Sequence, residues 1–279
     1  MKNAMQLKAY VKNLAKEKKI SAQIVLQNYM LERLLERISI SEYKDNFILK
    51  GGFLLAAMVG LDTRATMDMD ATIKGLPVTK ETISQMFVEI CEIHIDDDIK
   101  FEFAGIGDIR EDDEYGGYRV SLSGNYPPMA VPLKIDITTG DKITPREMVY
   151  SFNLMFEERS INILAYTVET ILAEKLETIV SRGDQNTRPR DFYDVYILNA
   201  LQKQNIDSRV LKDAFAATVK KRGTEHIVVN YKEIIDNVSK SSAMKEQWTR
   251  YQKEFDYAKK IRFEDTCKVV DELINEIEE

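Results

Sequence analysis

The hydropathy pattern of this 279-residue chain changes near residue 160, and that change limits the folds the chain can adopt. Before it, segments with apolar side chains at every second position predict strands, most clearly at 66–73, 117–122 and 133–138. After it, apolar residues recur at the three- and four-residue spacings that are typical of helices. The pattern therefore predicts an α/β plus α protein, with a small mixed sheet and flanking helices in residues 1–160 and a helical bundle in residues 161–279.

Composition excludes several functional classes. The two cysteines, Cys91 and Cys267, are too few for a disulfide scaffold or a Cys-rich zinc site, and two histidines exclude a His-rich metal site. The formal net charge of −7 argues against a general nucleic-acid coat, which is usually basic. The apolar runs are too short to cross a bilayer, so we expect no membrane partner and a location in the reducing cytoplasm.

A glycine pair, Gly51-Gly52, separates an apolar strand pattern from a short apolar helix pattern within residues 47–60. Glycine lets the backbone approach a phosphate closely, and the N-terminus of the following helix offers N–H groups that have no partner within the helix. Glycine pairs also occur in plain turns, and the chain lacks the GxxxxGK sequence of a P-loop. The pair therefore indicates a phosphate site only in combination with other features.

Two aspartates, Asp68 and Asp70, follow in a segment that alternates as a strand. Side chains two residues apart in a strand point to the same face, so these carboxylates lie side by side while Met69 takes the opposite, buried face. Adjacent carboxylates repel each other unless a cation lies between them, and Mg²⁺ prefers such oxygen ligands. The alternative is that both aspartates line the solvent-exposed face of an amphipathic strand.

A third aspartate, Asp136, lies on the polar face of the strand pattern KIDIT, residues 134–138. Aspartate is depleted in strands, so three of them in strand patterns require an explanation. If this strand neighbours the segment with Asp68 and Asp70, the three carboxylates form one acidic cluster. The alternative is a charge on an exposed edge strand, where it hinders aggregation.

The helical part contributes a lysine and a late acid. Lys175 lies on the apolar stripe of the helix pattern 167–183, either as a cation directed at a phosphate or as a side chain that extends along apolar surface to reach solvent. Asp191 follows Pro189, which favours the first turn of a helix. The aspartate therefore either helps to start that helix or faces inward together with Asp194.

These features together suit metal-assisted nucleotidyl transfer. In such a reaction metal ions bridge the phosphates and activate the attacking hydroxyl group, while a lysine neutralises phosphate charge. A glycine turn, three strand aspartates, a semi-buried lysine and a late aspartate supply groups for each of these roles. We therefore predict an enzyme of this type.

Four segments also resemble the motifs of a known family. FILKGGFLLAAMVGLDTRATMDMDATI, residues 47–73, resembles the first motif of the AbiEii/AbiGii-type toxins, which belong to the nucleotidyltransferase superfamily shared with DNA polymerase β. KIDIT resembles the second motif, and EKLETIV (174–180) and RPRDFYDVYIL (188–198) resemble the third and fourth. Two positions depart from the superfamily pattern: Phe53 follows the glycine pair where Ser is common, and Glu169 stands where the third motif often has Asp.

The resemblance implies a role for each candidate residue. The nucleotide-binding residues that it implies are Gly51, Gly52, Lys50, Arg64 and Lys175. The metal ligands that it implies, for Mg²⁺ or Mn²⁺, are Asp68, Asp70 and Asp136. The catalytic set adds Lys175 and Asp191 to these three aspartates, with Asp194 as the alternative late acid.

The function implied by the resemblance is that of a nucleotidyltransferase toxin in a toxin–antitoxin or phage abortive-infection system. It would use Mg²⁺ to transfer a nucleotide from an NTP to an RNA acceptor, the 3′ end of tRNA. Its partner would be a cognate antitoxin, a helix-turn-helix regulator. Because the chain is acidic, RNA would need a local basic surface. The candidates are Arg188 and Arg190 in the segment 182–190 and the N-terminal lysines Lys8, Lys12, Lys16, Lys18 and Lys19. The alternatives are an enzyme that nucleotidylates protein hydroxyl groups and a non-catalytic nucleotide-binding module.

Overall fold

The computed structural model of the protein describes residues 4–109 and 116–278. The chain divides into two compact units close to the change in hydropathy pattern. The described strands all lie in the first unit, and the second unit is helical. The first unit comprises Met1–Asp141 and Met148–Ala165, and the second comprises Lys142–Glu147 and Tyr166–Glu279.

The described part of the first unit begins with two helices and ends with several successive strands. Its helices are Ala4–Lys18 (α1), Ala22–Ile40 (α2), Gly51–Val59 (α3) and Lys80–Glu92 (α4). Its strands are Phe47–Lys50 (β1), Met69–Ile73 (β2), Lys100–Asp108 (β3), Gly117–Tyr126 (β4), Met129–Thr139 (β5), Met148–Asn153 (β6) and Ser160–Ala165 (β7). They form one sheet in the order β3-β4-β5-β2-β1-β7-β6, with parallel β2/β5 and β1/β7 pairs and antiparallel pairs elsewhere. This confirms the predicted mixed sheet.

The strand alternation separates a buried face from a polar face of the sheet. Met69 in β2 and Ile135 and Ile137 in β5 are fully buried. Asp70 and Asp136 stand between these positions along their strands, so they project from the opposite face. The period-2 pattern therefore identified both the strands and the side of the sheet that carries the acids.

Two strands were not predicted. β6 and β7 lie close to the expected boundary, and residues 161–165 were expected to begin the helical part. Instead Ile161, Ile163 and Ala165 alternate as the buried positions of β7. β7 pairs in parallel with β1, more than 100 residues earlier in the chain (165 − 49 = 116 for the pair Leu49 and Ala165). The four-residue β1 thereby lies inside the sheet, between β2 and β7.

The second unit is a set of helices with conventional starts. Thr167 accepts a hydrogen bond from the Thr170 N–H group at 3.2 Å, and Pro189 occupies the first turn of its helix, as the sequence predicts. Phe192, Tyr193 and Trp248 are buried in an aromatic core. The helices are Val168–Arg182 (α5), Pro189–Gln202 (α6), Ser208–Arg222 (α7), Glu225–Val228 (α8), Tyr231–Lys240 (α9), Ser242–Glu254 (α10) and Phe263–Glu278 (α11). Among the described residues, no helix has both the length and the apolar character needed to span a membrane.

Candidate active site

Four charged residues form one row across the polar face of the sheet. Arg119 in β4 is the register partner of Asp136 in β5, Asp136 is the partner of Asp70 in β2, and Asp70 is the partner of Lys50 in β1. We call these four residues the charged row. Its signs read plus, minus, minus, plus, so the two carboxylates are neighbours and the cations stand at the ends. Register partners lie about 5 Å apart, close enough for strong electrostatic interaction.

The glycine turn lies directly against the acid in β2. Gly51 has a φ of +68°, and a Cβ atom at this position would lie 2.1 Å from Oδ2 of Asp70, so only glycine fits. The Gly52 N–H group, in the first turn of α3, donates a hydrogen bond to the same oxygen at 3.3 Å. The turn and the carboxylate, which the sequence singled out separately, are therefore in contact.

Asp70 lies in an unfavourable place for a negative charge. Burial, together with the neighbouring Asp136 and Asp68 carboxylates, raises the pKa of Asp70, although Lys50 and the Gly52 N–H group act in the opposite direction. Asp68 precedes the first residue of β2 and is exposed. Such a cluster favours any arrangement that brings an additional positive charge to it.

Asp136 is held by a residue that the sequence analysis missed. Arg119 binds it in a bidentate manner, with Nε donating to Oδ1 and Nη2 donating to Oδ2, both at 2.7 Å. The strand that carries Arg119 was predicted, but nothing in the sequence placed this side chain opposite Asp136. The two side chains meet because β4 and β5 form a hairpin whose register pairs these positions.

Lys50 also has an acidic partner that was not predicted. Its Nζ lies 2.6 Å from Oδ2 of Asp141, whose side chain is almost fully buried, and the Thr138 hydroxyl donates to the same oxygen at 2.9 Å. Asp141 follows β5, where Gly140 has a positive φ of 73°. The signal available in the sequence was the position of Asp141, directly after Gly140 and at the end of the strand that carries Asp136. Lys50 therefore lies at the predicted site, with Asp141 as its ion-pair partner.

Arg64 lies beside the glycine turn. It is buried, and its Nη1 donates to the Ala65 carbonyl at 2.6 Å. A Cβ atom on Gly52 would lie 3.5 Å from Nη2 of Arg64 and 3.0 Å from the Thr66 hydroxyl oxygen. The guanidinium group is thus close to the start of α3, where an anion would be attracted to both.

The side-chain oxygens of this site suit a divalent metal ion. In the part of the chain that the structure describes, no three His, Cys, Asp or Glu side chains are already arranged as a metal site. The donor chemistry nevertheless fits, because Asp70 and Asp136 are neighbours, Asp68 adjoins them, and all three offer the hard oxygens that Mg²⁺ and Mn²⁺ prefer. A phosphate at the start of α3 would lie against Asp70, and a cation between them would remove the repulsion.

The second unit holds the remaining predicted residues. Lys175 in α5 contacts both late acids of α6, with Nζ 2.9 Å from Oδ1 of Asp191 and 2.7 Å from Oδ2 of Asp194. Burial disfavours the ammonium group, but the two carboxylates outweigh burial and raise the pKa of Lys175. Lys175 is thus a charged, hydrogen-bonded residue on an apolar stripe, and it contacts both Asp191 and Asp194, the two alternatives for the late acid.

The other three predicted positions of this unit differ in their surroundings. The Glu169 carboxylate accepts a hydrogen bond from the Asp207 N–H group at 3.0 Å, which ties α5 to the start of α7. The Arg188 N–H group donates to the Asn186 side chain at 2.7 Å, just before α6 begins. Arg190 is exposed in the first turn of α6. Glu169 therefore has a structural contact that accounts for its burial, and Arg190 presents a charge to solvent.

Comparison with known proteins identifies the family. A family model described as the nucleotidyl transferase AbiEii toxin of type IV toxin–antitoxin systems matches residues 33–271. The chain belongs to the AbiEii toxin family. The family resemblance noted in the motifs is thereby confirmed, and the matched range spans the positions of the candidate site residues. No curated protein matches the AbiEii-family sequence.

Solved structures support the fold of this AbiEii-family protein. A candidate nucleotidyltransferase from Helicobacter pylori is 15% identical, with a TM-score of 0.54 over 92% of this chain and 96% of that chain. JHP933 from the same organism is 16% identical, with a TM-score of 0.55 over 92% of each chain. At these identities the likeness shows the nucleotidyltransferase-like fold, whereas the function of this chain has to be argued from its own residues.

Proposed function

We propose that this AbiEii-family nucleotidyltransferase transfers a nucleotide from an NTP to an RNA acceptor, the 3′ end of tRNA, with Mg²⁺ or Mn²⁺. The observation that carries the proposal is the contact between the glycine turn and Asp70, beside Asp136. It places a candidate phosphate site and a pair of like-charged acids within a few ångströms of each other. A bare phosphate and two carboxylates repel each other. In a metal–nucleotide complex the positive charge of the metal ion attracts both the carboxylates and the phosphate.

The candidate residues of the first unit would have separate roles in binding the metal and the phosphates. Asp68, Asp70 and Asp136 would hold the metal, which when bound neutralises phosphate charge and activates the attacking hydroxyl group. The N–H groups at the start of α3 would bind phosphate oxygens, because these groups have no acceptor within the helix. Arg64 would add positive charge beside them.

Lys50 and Asp141 would support Asp70 from the neighbouring part of the sheet. Lys50 is the register partner of Asp70 and is bound by the buried Asp141 carboxylate. Its positive charge favours the ionised form of Asp70, which is the form that binds a metal. We therefore assign Lys50 to electrostatic support of Asp70 and nucleotide.

The candidate residues of the second unit are Lys175 for nucleotide phosphate and Arg188 and Arg190 for the acceptor. Lys175 remains charged between Asp191 and Asp194, so a phosphate would bind it only in exchange for one of these carboxylates. Arg190, with Arg188 at the start of the same helix, offers positive charge to an RNA backbone. Because the whole chain has a formal net charge of −7, RNA binding should depend on such local contacts and weaken steeply with salt.

The family also bears on the partner and setting of this chain. Type IV toxin–antitoxin systems include an antitoxin. We propose that it is a helix-turn-helix regulator, that the pair acts in phage defence, and that the protein works in the cytoplasm. The described cysteines, Cys91 and Cys267, are both unpaired, which suits a reducing compartment.

The deciding experiment supplies purified protein with each of the four α-labelled NTPs, Mg²⁺, bulk tRNA and a total protein extract. We expect label on tRNA with one NTP or a subset, none after chelation, and none with Asp70→Asn. Arg188→Gln/Arg190→Gln should lower transfer to tRNA at low salt while leaving NTP binding nearly unchanged. Label on protein bands alone would instead establish the protein-nucleotidylating alternative. Nucleotide binding without transfer to any acceptor would establish a non-catalytic module.

A further inference from the structure

We propose that Arg119 is a positioning residue that neutralises Asp136 before the metal binds and must share that carboxylate when it does. The inference rests on the proposed metal-dependent function, which it deepens by adding a residue that sets the metal affinity. It predicts that removal of Arg119 strengthens metal binding. A residue that only oriented Asp136 toward the metal would show the opposite effect.

The first argument is the geometry of the pair. Two donors of one guanidinium group contact the two oxygens of one carboxylate at 2.7 Å each. This side-on arrangement is the strongest that Arg and Asp form, and it uses the lone pairs on the side of the carboxylate that faces Arg119. Each oxygen has a further lone pair, so a metal can bind on the far side only while it shares Asp136 with a cation.

The second argument is the order of charges in the charged row. Arg119 neutralises Asp136 from the outer end, and Lys50 stands at the other end beside Asp70. An arriving divalent cation would enter between these two cations, of which Arg119 is bound to Asp136 itself, whereas Lys50 is also bound by Asp141. The repulsion from Arg119 acts over only a few ångströms, and charges at that range are weakly screened by salt.

The third argument is the difference in exposure between the two partners. The Arg119 side chain is 45% exposed, whereas that of Asp136 is 18% exposed. Asp136 is therefore the more confined partner, and Arg119 is the one that can shift toward solvent once a metal supplies positive charge to Asp136. A shift of Arg119 is the less costly way to make room for a metal on the shared carboxylate.

The test measures binding of Mn²⁺ alone to the full-length protein, by electron paramagnetic resonance of free Mn²⁺, without any substrate. We expect Arg119→Gln and Arg119→Met to lower the Mn²⁺ dissociation constant about tenfold, the size of effect expected when one like charge is removed from a partly exposed site. Arg119→Lys keeps the charge and should remain near wild type. The Mn²⁺-induced rise in Tm should be larger in the Gln and Met variants than in wild type.

A matched control is available in the second unit. Arg262 binds Asp265 with the same bidentate geometry, at 2.8 and 2.6 Å, so Arg262→Gln removes an equivalent pair and should leave Mn²⁺ binding unchanged. Unchanged or weaker binding in both Arg119→Gln and Arg119→Met would overturn the inference. If Asp70→Asn abolishes binding in that case, the metal site itself stands. If wild type and all Arg119 variants fail to bind Mn²⁺, both the inference and the proposed metal dependence are wrong.

Discussion

Two regions of the first unit place acids and bases side by side, and they do so in different ways. In α2, charged side chains are buried among apolar ones, and each acid around the helix meets a guanidinium group. Arg37 makes five hydrogen bonds, including both oxygens of Asp97 and three backbone carbonyls. Further ion pairs join Arg33 to Glu32, Glu36 and Glu157, and Arg159 to Glu36 and Glu157.

The charged row differs because its acids are neighbours. Asp70 and Asp136 are register partners, and the two cations stand at the ends of the row. In α2, oppositely charged groups alternate and the donors of Arg37 are satisfied within the protein. In the row, two negative charges are neighbours beside the N-terminus of α3. The local order of charges, more than their number, therefore separates a structural ionic cluster from a site that a cation–anion ligand completes.

The largest effect expected from this comparison is on catalysis. Asp70→Asn keeps an acceptor for the Gly52 N–H group but removes the metal-binding charge, so transfer should fall at least about 10³-fold, equivalent to about 4 kcal/mol in barrier. The Tm in the presence of chelator should stay the same or rise, because a poorly solvated carboxylate among like charges is removed. Asp108→Asn, an exposed acid at the end of β3, is the control and should retain transfer. Retained transfer in a folded Asp70→Asn protein would remove Asp70 from the site.

The next largest effect is a loss of stability that leaves transfer nearly unchanged. Arg37→Ala leaves Asp97, which is 4% exposed, without its partner, so unfolding in urea should become easier by about 3–5 kcal/mol. Arg262→Ala breaks an exposed bidentate pair of similar geometry and should cost less than about 1 kcal/mol. Transfer per folded molecule should be nearly unchanged in both variants. A small loss of stability in Arg37→Ala would mean that the α2 cluster is not the structural network inferred from its contacts.

A pH dependence should distinguish the acids of α2 from one another. Burial raises the pKa of Glu32 to about 7, against the opposing effects of Arg33 and the Met155 N–H group. Because this pKa is raised in the folded state, Glu32 contributes its full stabilisation below its unfolded pKa of 4.5. That contribution is lost as the pH rises toward 7. Relative to wild type, Glu32→Gln should therefore gain on the order of 3 kcal/mol between these pH values.

The measurement is urea unfolding at several pH values, with both proteins in the same buffers. Glu36, Glu157 and Arg159 belong to the same cluster and are present in wild type and variant alike, so their effect largely cancels in the difference. A constant difference between the two proteins across this pH range would contradict the raised pKa of Glu32.

The smallest effect comes from the backbone beside the row. Gly51→Ala places a methyl group against Asp70 at a positive φ, so we expect a loss of about 1–3 kcal/mol and a displaced Asp70 carboxylate. Gly107→Ala, where a Cβ atom meets nothing within 4 Å, is the matched control. Differential scanning calorimetry gives the stability of both variants, and Mn²⁺ titration reports the carboxylate. Equal Tm values for the two variants would show that the turn tolerates a side chain.

Much of this site could be predicted because its signals are local. The alternation around Asp70 and Asp136 gave both the strands and the face that carries the acids, and the Gly51-Gly52 pair marked the turn between β1 and α3. The start of the helix pattern 167–183 was also predicted, since the capping side chain of Thr167 lies within three residues of the N–H group it binds.

The rest could not be predicted because it depends on contacts between distant segments. Arg119 and Asp141 are ordinary charged residues until strand register and the end of β5 bring them to Asp136 and Lys50. β7 carries only three buried apolar positions, and its pairing with β1 decides that it is a strand. Lys175 shows a third case, since its apolar stripe was evident but its two partners come from another helix.

The hairpin of β4 and β5 has a consequence for the order of assembly. Arg119 and Asp136 are 17 residues apart and meet when one tight turn closes, whereas β2 and β5 pair across a separation of 66 residues. Contacts that close short loops form at a lower entropic cost and precede long-range strand pairing during folding. A nascent chain should therefore cover Asp136 with Arg119 before Asp70 arrives beside it. The acidic pair is then never assembled without its counter-charge, even in a chain that has only partly folded.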